Sequence, residues 1–181
     1  MIRISSWGSK GKFSTKTAYE FLRSSGELWR DRALVWKGCR TKRYSFFLWL
    51  ALQNKLNTRD RLSFLEGSLV CPLCALETES HEHLFFRCPV VNQLWSAIRM
   101  WLGLSRGCST LVSCARVLRR LCKDHFFTAK VCRIALAATI YLVWRARNAA
   151  IFEAKKFDVQ GLVLQIKIYV YRSLYFDASL R

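Results

Sequence analysis

The spacing of apolar residues along the chain predicts a series of α-helices. From Val91 to Trp101 apolar side chains recur at three- and four-residue steps, which gives a helix one continuous apolar face. Pro89 stands where a helix favours proline, at its first position, and Gly103 stands where helices commonly end. Further helical patterns cover about residues 17–22, 45–52, 58–65, 111–123, 129–152 and 158–175.

One of these segments leaves two alternatives open. Around Ile166, Ile168 and Val170 the apolar residues alternate, as they do in a strand, although the wider pattern suits a helix. The low content of turn residues, 8 Gly and 2 Pro, disfavours a many-turned sandwich or barrel. We therefore predict a mainly α fold.

Composition and charge refine this picture. The 181 residues are 52% hydrophobic and 14% aromatic, which is too apolar for a disordered basic tail. The formal net charge is +18, distributed as +10 over residues 1–62, −3 over residues 63–95 and +11 over residues 96–181. Such an excess of Lys and Arg favours polyanionic partners. The basic residues on the two sides of the acidic segment would make the contacts with such a partner.

The chain shows no obvious membrane or secretion signal. Its longest apolar run, Ile134–Trp144, has 11 residues between two arginines, whereas a span needs about 20. The N-terminus lacks the apolar stretch and cleavage site of a secretory signal. We expect an intracellular protein without membrane association, whose 8 Cys are thiols or metal ligands; a secreted disulfide framework is the alternative.

A Cys/His cluster lies in the acidic segment. Cys71 and Cys74 stand two residues apart, and a histidine and Cys88 follow closely. A Cys-x2-Cys turn presents two thiolates to one tetrahedral Zn²⁺, and a second pair closes the coordination. Four protein ligands with no open position describe a structural zinc site rather than a catalytic one. Ordinary buried thiols beside surface histidines are the alternative.

Two histidines compete for the third ligand position. His81 gives a His-x6-Cys step to Cys88, and His83 gives a His-x4-Cys step. The shorter step fits a single helical turn, whose residues i and i+4 or i+5 lie close together. We favour His83 and keep His81 as the alternative.

Several short blocks carry a family resemblance. They are Cys71-Pro72-Leu73-Cys74, Glu79-Ser80, His83-Leu84-Phe85-Phe86, Cys88-Pro89 and Leu94-Trp95, with Gly11–Tyr19 and Phe46–Leu52 upstream and Val143–Asn148 downstream. Together they resemble the zinc-binding domain that follows the reverse transcriptase in LINE-type retroelements, especially those of plants. The resemblance implies one structural Zn²⁺ held by Cys71, Cys74, His83 and Cys88. It also implies a zinc-binding domain over residues 1–103 and a basic helical extension over residues 104–181.

The carboxylates argue against catalysis by this chain. Polymerases and ribonuclease H-type nucleases hold Mg²⁺ with several converging carboxylates, but the five aspartates here are scattered and none are adjacent. We find no P-loop, Gly-x-Ser-x-Gly or His-Glu-x-x-His pattern either. We expect a non-enzymatic module without a small-molecule substrate, whose parent polyprotein would be an RNA-directed DNA polymerase.

Binding to RNA or DNA is the function that the basic flanks favour. Candidate phosphate contacts are Arg116, Arg119, Arg120, Lys123, Arg145 and Arg147. The first four share one helical side and are the best single candidate. A reverse transcriptase domain is a further expected partner, and a nuclear location would suit these partners. The alternatives are a zinc-stabilised interaction scaffold and a retroelement remnant without selected function.

Overall fold

The computed structural model describes residues 35–36, 41–62, 68–105, 107–124 and 126–178, with the side chains of 122–124, 126 and 177–178 left aside. Five α-helices lie within these ranges: α1 (Lys42–Leu52), α2 (Pro89–Trp101), α3 (Leu111–Asp124), α4 (Phe126–Phe152) and α5 (Val159–Ala178). The described ranges contain no strand beyond one isolated antiparallel bridge. The predicted mainly helical fold is therefore confirmed for this part of the chain.

Helix α4 forms the centre of the described structure. It is apolar on nearly every side, and every residue from Ala135 to Val143 is buried. Helices α1, α3 and α5 pack against it, and α2 packs against α5. Burial of a whole helix surface by neighbours is the arrangement expected for a helix without a polar face.

The length of α4 also bears on the membrane prediction. Residues Phe127–Phe152 are long and apolar enough to cross a bilayer, but 72% of the most apolar window is buried among other helices. A central helix of a packed domain has the same properties. The absence of membrane association stays a prediction.

Local signals explain where the helices begin and end. Pro89 occupies the first turn of α2, and Gly103 follows the helix with φ 66°, a left-handed conformation that glycine adopts without strain. At the start of α3, Thr110 and Ser113 exchange backbone-to-side-chain hydrogen bonds of 3.1 Å. This reciprocal pair satisfies donors that a helix N-terminus leaves without partners.

The structure resolves the helix-or-strand question for the last segment in favour of a helix. Leu162, Ile166, Val170 and Ser173 are the buried residues of α5, and their steps of three and four follow the helical period. Apolar residues alternate in the sequence because the exposed Ile168 stands between the buried Ile166 and Val170.

Other expectations changed or fall outside the described residues. Of the helix expected over 58–65, the described part forms a 3₁₀ turn, Arg59–Leu62, and residues 63–65 lie outside the described residues. The helix expected near residue 17 lies outside the described residues. The described residues between 35 and 178 belong to one compact unit, and the division of the chain at residue 103 stays a prediction.

Candidate metal centre

The first half of the candidate site is a tight turn that carries two cysteines. The amide of Cys71 donates to the carbonyl of Glu77 at 2.8 Å, and the amide of Ala75 donates to the carbonyl of Cys71 at 2.9 Å. Ala75 has φ 56°, and the bridge between Val70 and Thr78 closes the base of the turn. This geometry turns the Cys71 and Cys74 side chains toward the same point.

The second half is a π-helical turn, His83–Arg87. The amide of Cys88 donates to the carbonyl of His83 at 2.7 Å, an i to i+5 bond that sets both side chains on one side of the turn. Ser80 Oγ accepts the amide of His83 at 3.1 Å and caps the turn. The His-x4-Cys spacing thus fits a single helical turn, as the sequence suggested, although that turn is π rather than α.

The two halves bring four ligand atoms together. One ligand atom each of Cys71, Cys74, His83 and Cys88 lies within 4.8 Å of the other three, and Cys74 Sγ is 3.3 Å from His83 Nε2. Zn–S bonds of about 2.3 Å and Zn–N bonds of about 2.0–2.1 Å in a tetrahedron set neighbouring ligand atoms roughly 3.5–3.8 Å apart. The cluster therefore has the size and donor set of one Cys3His zinc site.

Two of the cluster's thiols, those of Cys71 and Cys88, are hydrogen-bonded to each other. A hydrogen bond from Cys71 to Cys88, together with burial, raises the pKa of the Cys71 thiol, and the same hydrogen bond lowers the pKa of Cys88. Cys71, His83 and Cys88 are buried and Cys74 is half-buried. A coordinated zinc ion deprotonates its thiols outright, so the resulting buried thiolates would offset the positive charge of the metal.

The two candidate histidines have different surroundings. His83 turns Nδ1 to the Glu77 carboxylate at 3.1 Å, which leaves Nε2 facing the cysteines. His81 lies outside the cluster, with its ring centroid 4.9 Å from that of Phe85. Burial, aided by the charge of Arg61, lowers the pKa of His81. The geometry accordingly favours His83, which the shorter spacing had favoured.

The hydrogen bond from His83 to Glu77 leads to a testable expectation. A carboxylate on the second ring nitrogen orients a metal-bound histidine, and its removal typically costs 10–100-fold in metal affinity. Because the Glu77 side chain is 68% exposed, water replaces part of this contact, and we expect Glu77→Gln to weaken zinc binding by about tenfold. Competition with a chromophoric chelator measures the change.

Glu82 supplies the matched control for this measurement. It is also an exposed glutamate next to His83, but it pairs with Arg87 at 3.0 Å. Glu82→Gln should leave the zinc affinity unchanged. Equal affinities for the two variants would contradict an orienting role of Glu77.

A buried ion pair connects the cysteine-bearing segment to α4. Arg147 donates through Nε to Glu79 Oε1 at 2.8 Å and through Nη2 to Glu79 Oε2 at 2.6 Å. Both side chains are at most 5% exposed. The amide of Arg59 also donates to Glu79 Oε2 at 2.9 Å, and the Arg147 guanidinium stands 4.9 Å from the centroid of the Trp144 ring. Sequence reasoning missed this pair.

The pair involves one of the predicted nucleic-acid contacts. Arg147 was expected at the surface, but its guanidinium is enclosed by Glu79, Asn148 and Trp144. Its bidentate geometry satisfies the charge internally, and the residue is buried, so it is poorly placed to contact a phosphate. We leave Arg147 out of the binding surface proposed below.

The other predicted contacts lie on α3 and α4. Arg116, Arg119 and Arg120 are exposed along one side of α3, opposite the buried Leu111 and Leu118. Lys123 belongs to the same helix, with its side chain outside the described set. Arg145 is exposed on α4 and donates to Gln165 Oε1 at 2.6 Å.

Five further cysteines stand elsewhere in the sequence. Of those with described side chains, Cys114 and Cys132 are buried and Cys108 is half-buried, and all three are free thiols. A hydrogen bond from Cys114 lowers the pKa of Cys108 to about 7. Within the described ranges, the Cys71, Cys74, His83 and Cys88 group is the cluster of three or more potential ligands that could hold a metal.

These features together define a helical domain with one closed Cys3His zinc cluster. Residues 13–95 match the family described as zinc-binding in reverse transcriptase, a segment that contains all four cluster residues and covers just under half of the chain. The family comparison found this zinc-binding region and no catalytic domain. No curated protein and no solved structure matches the chain.

Proposed function

We propose that this chain is a non-catalytic, zinc-stabilised module of a reverse transcriptase that binds nucleic acid. In this proposal Cys71, Cys74, His83 and Cys88 hold one structural zinc ion, which supplies folding energy and no chemistry. The zinc-binding match supports this role. The blocks of sequence similarity quoted above favour an origin in a LINE-type retroelement of plants, and a nuclear, intracellular location fits a nucleic-acid partner.

The observation that carries the binding proposal is the exposed side of α3. Arg116, Arg119 and Arg120 stand at three- and four-residue steps on a helix whose opposite face is buried in the core. Several arginines on one rigid helix face can neutralise successive phosphates, because the folded helix already holds their charges side by side. We call these three residues the α3 stripe.

Neutralising the stripe tests the proposal. In the variant R116Q/R119Q/R120Q we expect affinity for RNA or DNA at low salt to fall by at least about tenfold, and the dependence of log affinity on log salt to flatten by about 2. Fluorescence anisotropy with labelled oligonucleotides at several salt concentrations measures both. Zinc content and circular dichroism establish that the variant is folded.

A charge-matched control separates the stripe from total charge. The variant R61Q/R87Q/R172Q removes three exposed arginines from other parts of the described surface, and we expect it to lose much less affinity. Equal losses in the two variants would contradict a role for the stripe. A wild-type chain that binds neither RNA nor DNA at low salt would overturn the function and favour a protein-interaction scaffold.

A further inference from the structure

A groove opens between α1, α4 and the start of α5. Its volume is about 670 Å³, within the range of 300–1,000 Å³ that is usual for ligand sites. Residues of the loop between α4 and α5, 153–158, also line it. Most of its lining comes from residues beyond the matched segment 13–95.

Aromatic rings line the groove. The Phe47 and Tyr141 rings meet edge to face with centroids 5.3 Å apart, and half-buried Trp144 lies one turn further along α4. Phe152, at the end of α4, is 79% exposed. Its ring lies next to the aromatic and basic side chains of the groove, where an unpaired base could stack on it.

Two arginines are held at the groove by neutral partners. Arg43 Nη1 donates to Tyr141 Oη at 3.4 Å. Arg145 donates to Gln165 Oε1 at 2.6 Å, and its guanidinium lies 6.0 Å from the centroid of the Tyr141 ring. Because these partners carry no negative charge, both guanidinium groups keep their positive charge available to an anion.

The acidic groups of the lining are already engaged. Glu153 pairs with Lys155, and Asp158 Oδ1 accepts the amide of Gly161 at 3.0 Å. Lys156 is exposed beside them. With four basic and two acidic side chains, the lining carries a net positive charge.

We propose that this groove binds a stretch of single-stranded RNA, with an unpaired base stacked on Phe152 and phosphates held by Arg43, Arg145 and Lys156. The inference rests on the proposed nucleic-acid function and adds to it the class of substrate and a second contact surface. A base in a duplex is covered by its neighbours, so only an unpaired base offers a face to the ring. In this proposal the α3 stripe contacts only phosphates, whereas the groove also contacts unpaired bases.

The test compares one aromatic variant on two RNA forms. A labelled RNA of about 12 nucleotides without secondary structure, within the usual site sizes, is titrated alone and annealed to its complement. We expect Phe152→Ala to weaken single-strand binding by about 5- to 100-fold and to leave duplex binding unchanged. Arg145→Gln should weaken single-strand binding and lower its salt slope by about 1.

Controls come from the same helices. Phe127 is 66% exposed at the other end of α4 and does not line the groove, so Phe127→Ala should bind both forms as wild type does. Arg172 is exposed on α5 outside the groove, and Arg172→Gln is the matched control for charge. Because all these side chains are exposed, the variants should fold, which zinc content and circular dichroism verify.

The outcomes separate the groove from the general function. If Phe152→Ala binds single strands as wild type does while the stripe variant loses affinity, the groove proposal falls and the nucleic-acid function stands. Equal weakening of single-strand and duplex binding by Phe152→Ala would overturn base stacking. Phe152-dependent binding of polyglutamate, with no such dependence for RNA, would assign the groove to an acidic protein instead. A wild-type chain that binds no RNA overturns the groove proposal, and one that binds neither RNA nor DNA overturns both proposals.

Discussion

Replacement of Cys88 by serine is expected to abolish cooperative folding of the helices around the zinc cluster. Cys88 stands between the π-helical turn and Pro89, the first residue of α2, so coordination of zinc by Cys88 would fix where that helix starts. A structural zinc ion contributes about 10–16 kcal/mol of apparent binding free energy, whereas whole domains are stable by only about 5–15 kcal/mol. Thermal melting followed by circular dichroism, before and after chelation of the metal, measures the effect.

Cys108 provides the matched control for this variant. It is a half-buried free thiol outside the metal cluster, and Cys108→Ser should melt close to the wild-type temperature and retain one equivalent of zinc. We expect chelation of the wild type to reproduce the Cys88→Ser curve. Similar melting curves for Cys88→Ser and Cys108→Ser would mean that the cluster does not hold the fold together.

Replacement of Arg147 by methionine should cost the second largest amount of stability. Methionine keeps much of the arginine's apolar stem but leaves the Glu79 carboxylate, which is fully buried, without its charged partner. Removing one member of a buried pair typically costs about 3–5 kcal/mol, because the remaining charge is uncompensated. Urea unfolding with a fixed slope measures the loss as a lower midpoint.

Arg145 is the matched control on the same helix. It is exposed two residues before Arg147, and Arg145→Met should change the free energy of unfolding by no more than about 0.5 kcal/mol. The double variant E79Q/R147M should lose less than the sum of its single variants, since the partners share one interaction. Equal effects of the two arginine variants would contradict the buried pair.

The metal cluster could be predicted from the sequence because its geometry is local. Cys71 and Cys74 share one turn, and the spacing of His83 and Cys88 fits a single helical turn. Short spacings leave the backbone few ways to place ligands, so the pattern narrowed them to three cysteines and one of two histidines, with His83 favoured. The limits of α2 followed in the same way from Pro89 and Gly103, which act on their own neighbourhood.

The buried pair could not be predicted with the same ease, because its members are 68 residues apart. Arg145 and Arg147 look alike in the sequence, but two residues rotate a helix by about 200°, so they point to nearly opposite sides. The available signal was that Arg147 continues the face of Ile140 and Val143, both buried. A charged residue on a buried helix face indicates a buried partner.

The groove lined by Phe47, Tyr141 and Phe152 depends on the packing of α1 and α5 on α4. Periodicity identifies each helix and its apolar face, but it does not give the neighbours of that face. The helical pattern therefore does not reveal that these aromatic residues line a groove. The structure leaves Phe152, the last residue of α4, exposed.

X-ray absorption at the zinc edge tests the central claim most directly. One equivalent of zinc should bind to the purified chain with three sulfur neighbours at about 2.3 Å and one nitrogen neighbour at about 2.0–2.1 Å. The spectrum of His81→Ala should be unchanged, and that of His83→Ala should lose the histidine signal. Less than about half an equivalent of zinc, or a shell of oxygen and nitrogen neighbours without three sulfurs, would contradict the account.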